Sequence, residues 1–155
     1  MIHSGLAKAC YAPADLFHEE ALTLIRRARR EDPARFARAV SSARALSETV
    51  YRDHPEGDCA RRQEPLWSHI SEAMRREGRP REAEQAAARA LAASPGSYRA
   101  RLAAALSAGG AGRADEAADR LEELRTRRPD RREARLWAAY WRAKAGPARA
   151  ERAAR

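Results

Sequence analysis

Apolar residues in this chain recur every three or four positions and almost never alternate. Leu16/Phe17, Ala21, Leu24/Ile25 and Ala28 predict a first helix from about Asp15, a capping residue, to Arg30. Phe36, Val40, Ala43, Leu46 and Val50 predict a second, with Pro33 in its first turn and an end near Asp53. HPEGDCARRQEP, residues 54–65, mixes proline, glycine and charge without periodicity and reads as a joint. Helical spacing then predicts pairs at 65–77 and 80–93, 97–109 and 114–127, and 131–145 followed by a short helix from 148. The connections are short, so neighbours run antiparallel. No long Val/Ile/Thr alternation predicts a strand. The fold class is therefore all-α, with about seven to eight helices. Residues 1–12 read as a flexible N-terminal arm, 13–57 as a helical hairpin and 58–155 as a repeated region.

The repeat has a fixed stride. Gly78, Gly112 and Gly146 stand 34 residues apart, and so do Pro95 and Pro129. Residues 64–97, EPLWSHISEAMRREGRPREAEQAAARALAASPGS, form one unit with Trp67, Ile70-Ser71, Met74, Gly78, Ala83, Ala87, Ala90 and Pro95 at its marked positions. Residues 98–131 repeat the frame with Gly112, Ala117, Leu121, Leu124 and Pro129, and a partial third unit, 132–155, reaches Gly146. Glycine frees a tight turn because it tolerates positive φ. Alanine lets two helix axes approach closely. Proline stops the second helix and sets the entry to the next unit.

On these marks the chain resembles the tetratricopeptide repeat family over roughly residues 64–155. GRADEAADRLEELRTRRPD is very like a second helix of that family, while the second unit lacks the opening Trp and the Leu-Gly pair. The resemblance implies a right-handed α-solenoid of antiparallel hairpins, with 13–57 as a capping or degenerate unit. It also implies a concave face, lined by the first helices, that binds another protein as a helix or extended segment. On that face the spacing places Ser68, Glu72, Arg75 and Arg76, then Arg99 and, depending on whether GGAG adds residues to the register, Leu102 or Leu106, then Glu133, Leu136 and Tyr140. The Lys and Asn set with which some members hold a peptide carboxylate is missing here. The family's small members act as adaptors, assembly factors, chaperones or accessory subunits, and the expectation is a non-catalytic interaction module.

Composition narrows this reading. The chain has 155 residues, enough for one compact domain or a short solenoid, and only 6% aromatic residues, which predicts a thin core of close helix contacts. Its net charge of +9 comes almost wholly from arginine, with Lys8 and Lys144 as the lysines; that bias suggests a GC-rich, bacterial source. RRARR at 26–30, RR at 75–76 and RTRR at 125–128 all fall in the last turn of an expected helix, where cations meet the negative end of the helix dipole. The alternative function is an electrostatic binder of an anionic partner, an acidic protein or nucleic acid. Nucleic acid is disfavoured, since zinc-finger spacing and aromatic residues within the basic runs are both missing.

Trp137, Tyr140 and Trp141 lie at i, i+3 and i+4 and share one helix face, a candidate anchor for a partner or for a homodimer through the C-terminal helices. Catalysis, cofactors and metals are not expected. His3, His18, His54 and His69 are scattered, His54 with Cys59 is too few ligands for zinc, and Cys10 with Cys59 makes no disulfide framework. GGAG lacks the ending of a phosphate loop. Without a signal-peptide core or a membrane-length apolar run, the expected location is the cytoplasm.

Overall fold

The computed structural model describes residues 33–53, 61 and 63–153, and every regular element among them is helical. Six helices follow in order: α1 (Pro33–Asp53), α2 (Glu64–Arg76), α3 (Pro80–Ala93), α4 (Tyr98–Gly110), α5 (Ala114–Arg127) and α6 (Arg132–Ala153). The expected arm at 1–12, the first expected helix with its RRARR run, and most of the joint at 54–65 lie outside the described residues. The all-α class holds, and the described residues form six helices.

The helices begin and end where backbone chemistry dictates. Pro65 and Pro80 sit in the first turns of α2 and α3, where a missing N–H costs nothing. Ser97 caps α4, its Oγ accepting from the Ala100 N–H at 3.3 Å. α2 closes in a left-handed turn. The Arg79 N–H donates to the Met74 carbonyl at 2.9 Å and the Gly78 N–H to that of Arg75 at 3.2 Å, with Gly78 at φ 73°. α4 closes identically 34 residues later. Arg113 donates to Ala108 and Gly112 to Gly109, both at 3.0 Å, with φ 94° at Gly112. The stride extends to the next connection, where Ser94→Ala90 and Ser97→Ser94 recur as Arg128→Leu124 and Arg131→Arg128. Even the surface pair Arg79–Glu82 recurs as Arg113–Glu116. GGAG therefore adds no residue: Gly109 and Gly110 belong to the last turn of α4, and Gly112 alone makes the bend.

Packing follows the same register. Each helix lies against the next, and α2 also lies against α4, skipping α3. The buried residues of α3 are all alanine, Ala83, Ala86, Ala87, Ala90 and Ala93, with Leu91 packed at the edge, so the large side chains of α2 close the gap. Leu66, Trp67, Ile70 and Met74 are fully buried there, with Val40 of α1 beside them. Each contributes about 1.5–3 kcal/mol by leaving water. A second cluster joins Ala105 and Leu106 of α4, Leu121 of α5 and Ala138 of α6, with Leu102, Trp137 and Trp141 at its edge.

One expected break does not occur. Gly146 was expected to end a helix and a short one to start at 148, but α6 runs unbroken through Gly146 and Pro147 to Ala153. Two features of the sequence account for this. The position matching Ala83 and Ala117 is Glu151, which offers no close helix contact to reward a reversal. Gly146 itself, having no Cβ, escapes the clash with the following proline ring that keeps other residues out of the helical region.

Gly112→Ala is expected to lower unfolding free energy by about 1–2 kcal/mol, the cost of a Cβ in the left-handed region. Ala117→Phe, at a fully buried contact between close helices, is expected to cost about 1–3 kcal/mol. Urea titrations followed by far-UV circular dichroism check both, and unchanged midpoints would contradict the packing described.

Candidate partner-binding groove

The 34-residue register places matching positions of α2, α4 and α6 side by side: Ser68, Leu102 and Leu136 form one row, and Glu72, Leu106 and Tyr140 another. Between the three helices lies a cleft of about 250 Å³. Of the residues expected on the concave face, it gathers Ser68, Glu72, Arg75 and Arg76 from α2, Arg99, Leu102 and Leu106 from α4, and Glu133 from α6, and it adds Trp137 of the aromatic group. Leu136, Tyr140 and Trp141 are not among its walls. Leu136 and Tyr140 stand exposed beyond it, and Trp141 is half-buried against α4. The cleft floor is apolar, from Leu102, Leu106 and Trp137, and its rim carries guanidinium and carboxylate groups.

Buried polar groups at the floor and mouth were not anticipated from sequence. The Ser71 Oγ donates to the Ala83 carbonyl at 2.8 Å and lies 2.9 Å from the Ser107 Oγ, which reaches the Ala103 carbonyl at 2.6 Å. These bonds tie α2, α3 and α4 together beneath the cleft. At the mouth the buried Glu64 carboxylate accepts from the Ser68 Oγ at 3.0 Å and the Ser97 Oγ at 2.6 Å, and meets Arg99 Nη2 at 3.5 Å. Charge-assisted bonds of this kind are the strong ones, and here they lock the starts of α2 and α4 together and orient Arg99. The available signal was a serine at 68 and another at 97 around an otherwise unexplained glutamate.

The opposite end is shaped by glycine. A Cβ at Gly109 would fall 2.5 Å from Cζ2 of Trp141, so the indole rests on bare backbone. Beside it the Arg75 stem passes Gly110, where a Cβ would meet its Cγ at 3.5 Å, and the guanidinium sits 5.5 Å over the Trp137 ring. Tyr140 stands edge-on between the two indoles, 5.5 Å and 5.1 Å from their centroids at 87° and 89°. The expected shared face of Trp137, Tyr140 and Trp141 is thus observed, with α4's glycine pair as the notch beneath it.

The two arginine runs among the described residues, 75–76 and 125–128, are largely occupied. Arg76 pairs with Glu72 at 2.8 Å, Arg125 with Glu122 at 2.9 Å, Arg127 with Glu123 at 3.0 Å and Arg128 with Asp130 at 3.0 Å. Arg142 and Arg113 likewise meet Glu122 and Glu84. Hydrogen bonds from Arg113 hold the Glu116 carboxyl below its ordinary pKa, and Arg128 does the same for Asp130. Burial pushes the Tyr98 phenol up, although Arg128 and Arg131 lie over its ring. No group of three His, Cys, Asp or Glu suited to a metal occurs among the described residues, and Cys10, His54 and Cys59 lie outside them. No described helix is long and apolar enough to cross a membrane. Compared with protein-family models, curated proteins and solved structures, the chain matches none.

Gly109→Ala is expected to destabilise the fold by about 1–3 kcal/mol and to change the near-ultraviolet circular dichroism of the indoles. Gly110→Ala, with only ordinary contact at its new methyl, is expected to leave both nearly unchanged or to stabilise slightly. Glu116 provides a separate check by NMR titration. Its folded pKa is depressed, so its contribution to stability is present above its unfolded value of about 4.5 and lost as pH falls through the folded one. Arg113→Gln is expected to raise the Glu116 pKa towards that ordinary value.

Proposed function

We propose that this chain is a non-catalytic protein-interaction module of the tetratricopeptide type, a right-handed solenoid whose concave face docks a helix or extended segment of another protein. The observation that carries the reading is the cleft between α2, α4 and α6. Helices α2, α4 and α6 supply its walls, and eight of the residues expected on the concave face meet there together with Trp137. An apolar floor with a charged rim is the composition of a peptide-binding groove, where apolar contact gives affinity and rim charges give register. The role fits an adaptor, assembly factor, chaperone or accessory subunit in the cytoplasm.

The electrostatic alternative draws its support from the charge of +9. Pairing of most arginines in the 75–76 and 125–128 runs with nearby carboxylates weighs against it, because a paired arginine presents little net charge to a polyanion.

Affinity capture from the native source separates the two. A protein partner in 1:1 ratio, retained as salt rises and lost in the half-buried Leu102→Glu variant with helix content intact, is the expected result. Recovery of nucleic acid alone, released steeply by salt, overturns the interaction-module reading.

A further inference from the structure

The large apolar side chains exposed among the described residues are Leu136 and Tyr140, four residues apart on α6. They are 55% and 46% exposed, and the buried Ala134, Ala138 and Ala145 occupy the opposite side of the helix. Extending their row by one step each way gives Arg132 and Lys144. The row Arg132–Leu136–Tyr140–Lys144 is therefore one ridge of α6, cationic at both ends and apolar between, and exposed throughout. At 1.5 Å per residue its ends are about 18 Å apart. The parallel row Arg135–Ala139–Ala143 is also exposed, and its two methyl groups leave a shallow trough in which another helix can approach closely.

Charge separates this ridge from the neighbouring helix α5. Arg132, Arg135 and Lys144 have no carboxylate partner among the described residues, whereas the arginines of α5 all do. Lys144 instead rests 5.5 Å over the Tyr140 ring. Tyr140 is held upright by the indoles on either side, so little freedom remains for it to lose on binding.

We propose that this ridge docks an acidic amphipathic helix of a partner protein. Two apolar side chains of that helix cover Leu136 and Tyr140, and carboxylates about 18 Å apart, on the order of twelve helical residues, meet Arg132 with Arg135 at one end and Lys144 at the other. A second copy of this chain fits poorly in the same place. α6 carries six basic residues against two acidic ones, so pairing it with itself sets like charges together. The inference rests on the reading of the chain as a protein-binding module and names the chemistry of the partner.

The test uses the full chain and a displayed library of helical peptides long enough to span the ridge. Enrichment of peptides with two apolar residues one turn apart, flanked by Asp or Glu, is expected. Binding of those peptides should fall at least about tenfold in Tyr140→Ala and in the double variant Arg132→Glu, Lys144→Glu. Lys144→Arg should retain it. All these side chains are exposed, and unchanged helix content confirms that the variants fold. Enrichment of neutral or basic peptides, or affinity indifferent to Tyr140, overturns the acidic-helix assignment and leaves the module reading intact. So does a chain that sediments as a dimer until Tyr140 is replaced by Glu. Recovery of no peptide, with single-stranded oligothymidylate bound instead, overturns both.

Discussion

Two helices can lie side by side only as closely as the side chains between them allow, and this constraint organises the whole structure. The buried residues of α3 are all alanine, with Leu91 packed at the edge, and α5 opens its buried face with Ala117 and Ala118. The chain can therefore turn back on itself twice with the same bend and the same backbone hydrogen bonds. Once the approach distance is repeated, the stride of 34 residues repeats with it, and matching positions on α2, α4 and α6 come to lie in rows. The cleft is a by-product of those rows. Its character is set by what each helix contributes: Ser68 and Glu72 with two arginines from α2, two leucines from α4, and Glu133 with Trp137 from α6.

Much of this is visible in the chain before any coordinate is known. Glycine at a fixed interval signals the bends because a positive φ is costly for any other residue, and both Gly78 and Gly112 adopt it. Pro33 and the spacing from Phe36 to Val50 locate α1. Eight of the cleft-lining residues could be named because the helical period and the stride together suggest which side chains face the same way. Gly146 misled for a physical reason: a glycine licenses a reversal but does not cause one, and what causes it is the burial waiting on the far side. Glu151 withholds that burial. Gly109 and Gly110 were illegible for the converse reason, since their role is to be small beneath Trp141 and Arg75, contacts that no local pattern encodes. Ser71, Ser107 and Glu64 were missed likewise; their partners come from other helices, and helical spacing describes a single helix at a time.

Electrostatics refines the architecture without creating it. Among the described residues, most arginines in the last turns of α2 and α5 are answered by a carboxylate one turn away or on the neighbouring helix, pairs worth little individually when exposed to water. Their collective effect is to leave a chain of +9 with a patchwork surface instead of a uniformly basic one. Glu64 differs because it is buried and multiply bonded, so it acts as a fixed joint between two helix starts. The molecule thus has a stiff polar joint at one end of the cleft and an aromatic, glycine-lined arrangement at the other.

That second arrangement has a mechanical corollary. Arg75 belongs to α2 and Trp137 to α6, yet their contact spans the helix that separates them by crossing over Gly110. The span works like a clasp on the aperture below it. Moving α6 outward must first slide the guanidinium off the indole face, so a displacement of the last helix is felt in α2 as well.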